Sequence, residues 1–188
     1  MLLFQILIAW LLADFVTGLI HWIEDKYMDA VTLNFWARDI AADNDLHHSK
    51  PTAMLLNSYW DNMRSGAIIG WPIAAMLFWI DAPLWLSMMP FFAAFGNLVH
   101  RFSHTPVDQL PRWIRGMQEF GLFISHQQHD AHHRSMKRLI PKHLAGYKFC
   151  PMTDWVNPIL DRVEFWKSLE RILTAIGIQP IAKPDHSS

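Results

Sequence analysis

The chain opens on MLLFQILIAWLLADFVTGLIHW, an apolar run interrupted by one charge, Asp14. About 20 apolar residues rising 1.5 Å each cross the hydrocarbon core of a bilayer, so Leu2 to Trp22 predicts a membrane helix. A secretory leader would carry basic residues before its apolar run and small residues at a cleavage site; neither is present, so the segment is expected to be retained. Two further apolar blocks follow, GAIIGWPIAAMLFWI (Gly66 to Ile80) and LWLSMMPFFAAFGNLV (Leu84 to Val99). The turn signal Asp81-Ala82-Pro83 between them predicts a tight helical hairpin. Each arm holds a proline, Pro72 or Pro90, of the kind membrane bundles tolerate. A weaker block, Gly116 to Ser125, is too short to cross and is expected to be re-entrant or interfacial.

Charge orients these elements. All 16 Lys and Arg lie between Lys26 and Arg64 or from Arg101 onward, leaving the first helix and the hairpin tip without any. By the positive-inside rule both basic regions face the cytoplasm, which three crossings with an outside N-terminus satisfy. The fold class expected is therefore all-α integral membrane protein, with about three transmembrane helices, the interfacial segment and a cytoplasmic, helical, histidine-rich cap. Residues 1–178 read as one membrane-embedded domain and 179–188 as a polar disordered tail. The composition agrees: 52% of residues are hydrophobic and 18% charged. A formal net charge of -1 points to no nucleic-acid partner. The lone Cys150 excludes a disulfide framework and a cysteine-based zinc site, and reads as a small packed residue.

The candidate chemistry lies in the histidines. With the predicted topology, His21 ends the first helix, His47 and His48 follow in DLHHSKP, and His100 and His104 leave the third apolar block as HRFSH. His129, His132 and His133 lie in QHDAHHR. All stand at or just beyond one membrane face. HxxxH places two imidazoles one turn apart on a single helix face, the usual presentation of a metal pair. Asp14, Gly18, His21 and Asp25, spaced by four, three and four, form a stripe along the first helix. Ionisable groups in a membrane helix face the bundle interior, so the stripe is expected to point toward the other histidines. Glu24, about 100° from Asp25, is expected to face away.

Imidazoles with a carboxylate and no thiolate suit iron, zinc or copper rather than calcium or magnesium. At least eight converging histidines are too many for one ion and account for two. A proton or metal carrier would need ionisable groups through the whole membrane depth; only Asp14 lies deep, which disfavours transport.

Taken as an ordered set, DFVTGLIHWIED, DLHHSKP, NLVHRFSHTP with LPRWIRGMQEFGLFIS, QHDAHHR, YKFC, WVNPILD and FWKSLE resemble the plasmanylethanolamine desaturase family (Kua, or CarF in bacteria), which includes the plant plastidial phosphatidylglycerol desaturase. The resemblance runs from about Asp14 to Arg171. Two departures, a longer insert between His133 and Cys150 and Met28-Asp29 where the family has a glycine, fall near the expected lipid-facing mouth.

The resemblance implies a di-iron lipid desaturase of a bacterial inner membrane that uses O2 and two electrons to form a double bond in an alkyl or acyl chain of a phospholipid. It implies His21, Asp25, His47, His48, His100, His104, His129, His132 and His133 as metal ligands, with Asp25 either ligand or supporting partner. Asp14 is expected to orient a histidine by accepting its other N–H. Asn97 is expected to hold a metal-bound water or make an ordinary helix hydrogen bond. His126, His143 and His186 match no ligand word and read as structural or solvent-facing. Arg101, Arg112 and Arg115 read as ordinary positive-inside residues at headgroup level. No haem or flavin signature is present, so electrons are expected from a separate ferredoxin- or cytochrome b5-type donor. A di-iron lipid hydroxylase and a zinc-dependent membrane hydrolase would use similar histidines and remain alternatives.

Overall fold

A computed structural model describes residues 1–28, 35–136 and 146–181. The proposed tail beyond residue 181, with His186, lies outside the described residues, as do His143 and most of the insert. Every regular element described is a helix. The apolar opening forms α1, Leu2–Tyr27, which continues past the expected end at Trp22 until Met28 turns extended. Its length, about 39 Å at 1.5 Å per residue, exceeds a hydrocarbon core of about 30 Å. Among the described residues, α1 is the one helix long and apolar enough to cross a membrane.

α2 spans Phe35–Ser49 and stops where Pro51 begins a 3-10 turn, Pro51–Leu56. α3, Tyr59–Trp79, starts with a reciprocal cap: the Asp61 amide donates to Ser58 Oγ at 3.1 Å and the Ser58 amide to Asp61 Oδ2 at 3.2 Å. The expected turn follows, with Asp81 in the left-handed region at φ 52°.

The third apolar block departs from expectation. It is two helices, α4 (Leu84–Ala93) and α5 (Gly96–His104), broken at Ala94–Phe95. Ten residues of α4 rise only about 15 Å, so this block does not cross as one straight rod. The break lets α5 leave at its own angle, and Gly96 permits it: a Cβ there would sit 2.6 Å from the Thr17 methyl of α1. α4 packs on both α1 and α3. The α3–α4 contact is close because Gly66 and Gly70, a small-xxx-small pair, face Ala94 and Pro90.

α6, Arg112–Glu119, buries Ile114 in a core with Ala13, Val99, Phe102, Leu110, Phe123 and Met152. The block expected to be re-entrant or interfacial, Gly116 to Ser125, is the end of α6 plus a turn at Gly121, φ 72°. α7, His126–Met136, opens with the Ser125 amide donating to Gln128 Oε1 at 2.9 Å and the Gln128 amide to Ser125 Oγ at 3.3 Å. An irregular segment from Gly146 then leads into α8, Asn157–Arg162, and α9, Phe165–Ala175. Trp166 packs there with Trp22, Phe149 and Cys150 in a second core.

Candidate metal centre

Four helices carry the histidines, and helix geometry decides how they are shared. Residues four apart lie on one face, while neighbours differ by about 100°. Accordingly His100 with His104, and His129 with His133, stay together, as do His21 and Asp25. The adjacent pairs His47-His48 and His132-His133 split. The outcome is two buried groups: His47, His100, His104, His129 and His133 in one; His21, Asp25, His48 and His132 in the other. Within each, one nitrogen or carboxylate oxygen per residue lies within 4.8 Å of all the others. The groups adjoin, since ring centroids of His21 and His100 are 5.3 Å apart and those of His48 and His133 5.0 Å.

In the four-member group Asp25 is the hub. Its Oδ1 accepts from His48 Nε2 at 2.6 Å and Asn44 Nδ2 at 2.9 Å, and its Oδ2 lies 3.4 Å from His132 Nε2 and 3.7 Å from His21 Nε2. The other ring nitrogens of two histidines are anchored. His21 Nδ1 donates to the Phe149 carbonyl at 3.2 Å and His132 Nδ1 to that of Tyr147 at 2.7 Å. A carbonyl only accepts, so each Nδ1 carries a proton, and each Nε2 is left facing Asp25 Oδ2.

The five-member group has imidazoles alone. His129 Nε2 lies 2.7 Å from His100 Nε2 and 3.1 Å from His133 Nε2, and His104 Nε2 lies 3.3 Å from His100 Nε2. Burial, then the neighbouring histidines, hold the pKa of His47, His129 and His133 well below the usual 6.5. Neutral rings are what a metal requires of imidazole.

The donors fit metal ions. Buried polar atoms without partners are rare, yet His21 Nε2, Asp25 Oδ2, His132 Nε2 and both His47 nitrogens have no protein hydrogen-bond partner. They converge on the two groups, where a cation would satisfy polar atoms that no protein partner reaches. Cys150 is buried elsewhere, against Gly18, so no thiolate joins either group.

All nine residues expected as ligands are thus brought together, and three other expectations are corrected. Asp14 does not touch a histidine: its oxygens accept from the Met152 amide at 2.8 Å and Thr153 Oγ1 at 2.7 Å. It lies nearly two turns below His21, too far down α1 to reach the rings. Asn97 is exposed while His100 is buried; a three-residue step leaves about 60° between side chains, enough to move Asn97 off the inner face. Arg101 is not simply a headgroup-level cation. Its guanidinium donates to the carbonyls of Met54 at 2.6 Å and Leu55 at 3.0 Å and sits 5.0 Å over the Tyr59 ring, fastening the 3-10 turn after His48 to α5.

His126 Nδ1 donates to the Ser103 carbonyl at 2.7 Å and joins neither group. Asn44 was not singled out from the sequence. It stands three and four residues before His47 and His48, the same spacing that marked the histidines.

The chain matches the lipid desaturase domain over residues 10–183. A probable fatty acid desaturase of Acanthamoeba polyphaga mimivirus is 30% identical, covering 95% of this chain and 86% of that protein. Plasmanylethanolamine desaturase 1 of Mus musculus is 26% identical over 92% of this chain and 65% of its own length. Plasmanylethanolamine desaturase of Myxococcus xanthus is 25% identical, with 96% of this chain and 63% of that protein covered. The chain thus spans slightly less than two thirds of the mouse and bacterial relatives. No solved structure matches. The domain match, which takes in all nine clustered residues, places this chain in the lipid desaturase family, as a fatty-acid-type desaturase and hence an oxidoreductase.

Proposed function

We propose that the protein is a membrane di-iron lipid desaturase that introduces a double bond into an alkyl or acyl chain of a phospholipid. The observation that carries this reading is the pair of adjoining buried donor groups, five imidazoles beside three imidazoles and a carboxylate, with no thiolate. In this reading α1 crosses the membrane of a bacterial cell with the hairpin, and the histidine cap faces the cytoplasm. His21, Asp25, His48 and His132 hold one iron; His47, His100, His104, His129 and His133 hold the other. When bound, the irons supply the O2 chemistry that attacks an unactivated C–H bond.

The chain's residues supply placement and protection. Neutral imidazoles resist oxidation where thiolates would be attacked. Asp25 contributes the one negative charge of the four-member group, and Asn44 restrains its Oδ1. Close burial of all nine side chains excludes bulk water from the centre. Four electrons reduce O2 to water; two come from the lipid C–H pair and two from a separate ferredoxin- or cytochrome b5-type donor. The names of the mouse and Myxococcus relatives favour an ether phospholipid as substrate.

The test is metal and product analysis of protein purified in mild detergent. About two iron per chain, and O2-dependent formation of an alkene in the supplied phospholipid, are expected. Stoichiometric zinc with activity that survives iron chelation and anaerobiosis would establish a hydrolase instead. An alcohol as final product would establish a hydroxylase.

A further inference from the structure

Asp14 and Gly18 belong to the polar stripe of α1 but touch no histidine. They meet the irregular segment between Gly146 and Asn157, and so does the upper part of the stripe. Ascending α1, Asp14 binds Met152 and Thr153, Gly18 lies against Cys150, and His21 donates to Phe149. The stripe is one continuous seam, its contacts descending in number along the segment as they ascend along the helix.

The segment is held at several further points. Asn157 accepts from the Cys150 amide at 2.9 Å and donates to the Cys150 carbonyl at 2.9 Å. The Ile124 amide donates to the Met152 carbonyl at 2.7 Å, and the Tyr147 amide to Asp161 Oδ1 at 3.0 Å. Gly18 cannot be enlarged, because a Cβ would lie 2.7 Å from Cys150 Sγ. Asp14, Thr153, Cys150 and Asn157 are all completely buried.

What this seam delivers is two carbonyls. Those of Tyr147 and Phe149 are the acceptors that fix His132 and His21 with Nδ1 protonated. Lys148 between them is a non-glycine residue at φ 50°, a conformation costing about 1 kcal/mol or more. Its ammonium is tied to Asp154 at 2.9 and 3.1 Å. Backbone strain stored between two functional carbonyls, with every flank bonded, has the form of a positioning device.

We propose that Asp14, with Thr153 and Asn157, sets the register of this segment, and that the segment in turn sets the tautomer and aim of His21 and His132. Asp14 is a positioning residue for the four-member group, acting about two helical turns from it. The five-member group has no such support: among the described residues none of its five rings donates to a backbone carbonyl of the segment. The effect on metal rests on the two-metal reading above; the effect on tautomer does not.

The test uses the full chain in detergent, metal-free and then titrated with cobalt(II) alone. Variants are Asp14→Leu, Thr153→Val and the conservative Asp14→Asn, whose amide can still accept from Met152 and donate to Thr153. Imidazole-nitrogen NMR of the metal-free wild type should show His21 and His132 protonated at Nδ1. Thr153→Val and Asp14→Leu should lose that single form and weaken one cobalt equivalent about 10- to 100-fold, the range typical of groups behind a ligand, leaving the other within about twofold. Asp14→Asn should restore both readouts. If Asp14→Leu does not fold, Thr153→Val decides alone.

Nδ1–H signals unchanged in Thr153→Val would overturn the proposal. So would equal weakening of both equivalents, the mark of a merely structural role. A wild type that binds no cobalt would remove the metal reading, and the tautomer measurement would still decide whether the seam aims the two rings.

Discussion

His132 and His133 are neighbours in the chain, yet they belong to sites built on different physical terms. His132 joins a group with a carboxylate at its hub and two rings locked by backbone carbonyls. His133 belongs to a group of five imidazoles with no carboxylate among them. A fixed anion attracts a cation strongly in a buried site, and locked rings lose little freedom on binding. The four-member group should therefore be the tighter metal site, and the five-member group the more adaptable one.

The most severe way to break this comparison is to remove the anion. Asp25→Asn should abolish one of two bound metal equivalents and reduce desaturated product at least about 100-fold, while Glu24→Gln, on another face of α1, stays near wild type. Equal tolerance of both substitutions, read as iron per chain and alkene formed, would refute the central place given to Asp25.

Single-ring deletions sharpen the contrast. His132→Ala and His133→Ala should each abolish desaturation, but His132→Ala should lose its metal from the anionic group and His133→Ala from the neutral one. Cobalt spectra of the two variants should then differ. Identical spectra with identical stoichiometry would mean that the two groups are not separate sites.

Acid gives a graded version. The pKa values of His47, His129 and His133 are depressed in the folded chain, so the unfolded chain binds more protons once the pH drops below about 6.5. Their contribution to stability is complete above that value and is lost as pH falls toward the depressed folded values. Metal-free protein should thus melt at progressively lower temperature from pH 7 to pH 5, and added zinc should raise the melting temperature without flattening that slope. A melting temperature independent of pH over that range would contradict neutral buried rings.

The smallest effect is expected at His126, which sits beside the five-member group without joining it. His126→Ala removes one hydrogen bond to Ser103 and should cost about 1 kcal/mol of stability with both metal equivalents retained. Loss of an equivalent would make His126 part of the site.

These contrasts were only partly legible in the sequence. Most of the nine clustered residues stood out because helical spacing of three and four is a local property and imidazoles are conspicuous in an apolar chain, and the family resemblance completed the set. The same spacing applied to DNDLHH would have reached Asn44, and GAIIG would have announced the close α3–α4 contact. Asp14 was singled out correctly as inward-facing, but its partners are 138 and 139 residues away, and no local pattern names them. Asn97 was misplaced because spacing of three fixes a face only to within about 60°.

The sequence alone determined that the chain is helical, that α1 is long and apolar, and that imidazoles and a carboxylate recur at one-turn intervals, since these depend on side-chain type and helix period. Tertiary structure decided which histidine joins which group, because that depends on the crossings of α1, α2, α5 and α7. It also broke the third apolar block after Ala93, where α5 must turn to bring His100 and His104 inward. And it supplied the carbonyls of Tyr147 and Phe149, backbone groups that every residue possesses and that only a folded chain can aim.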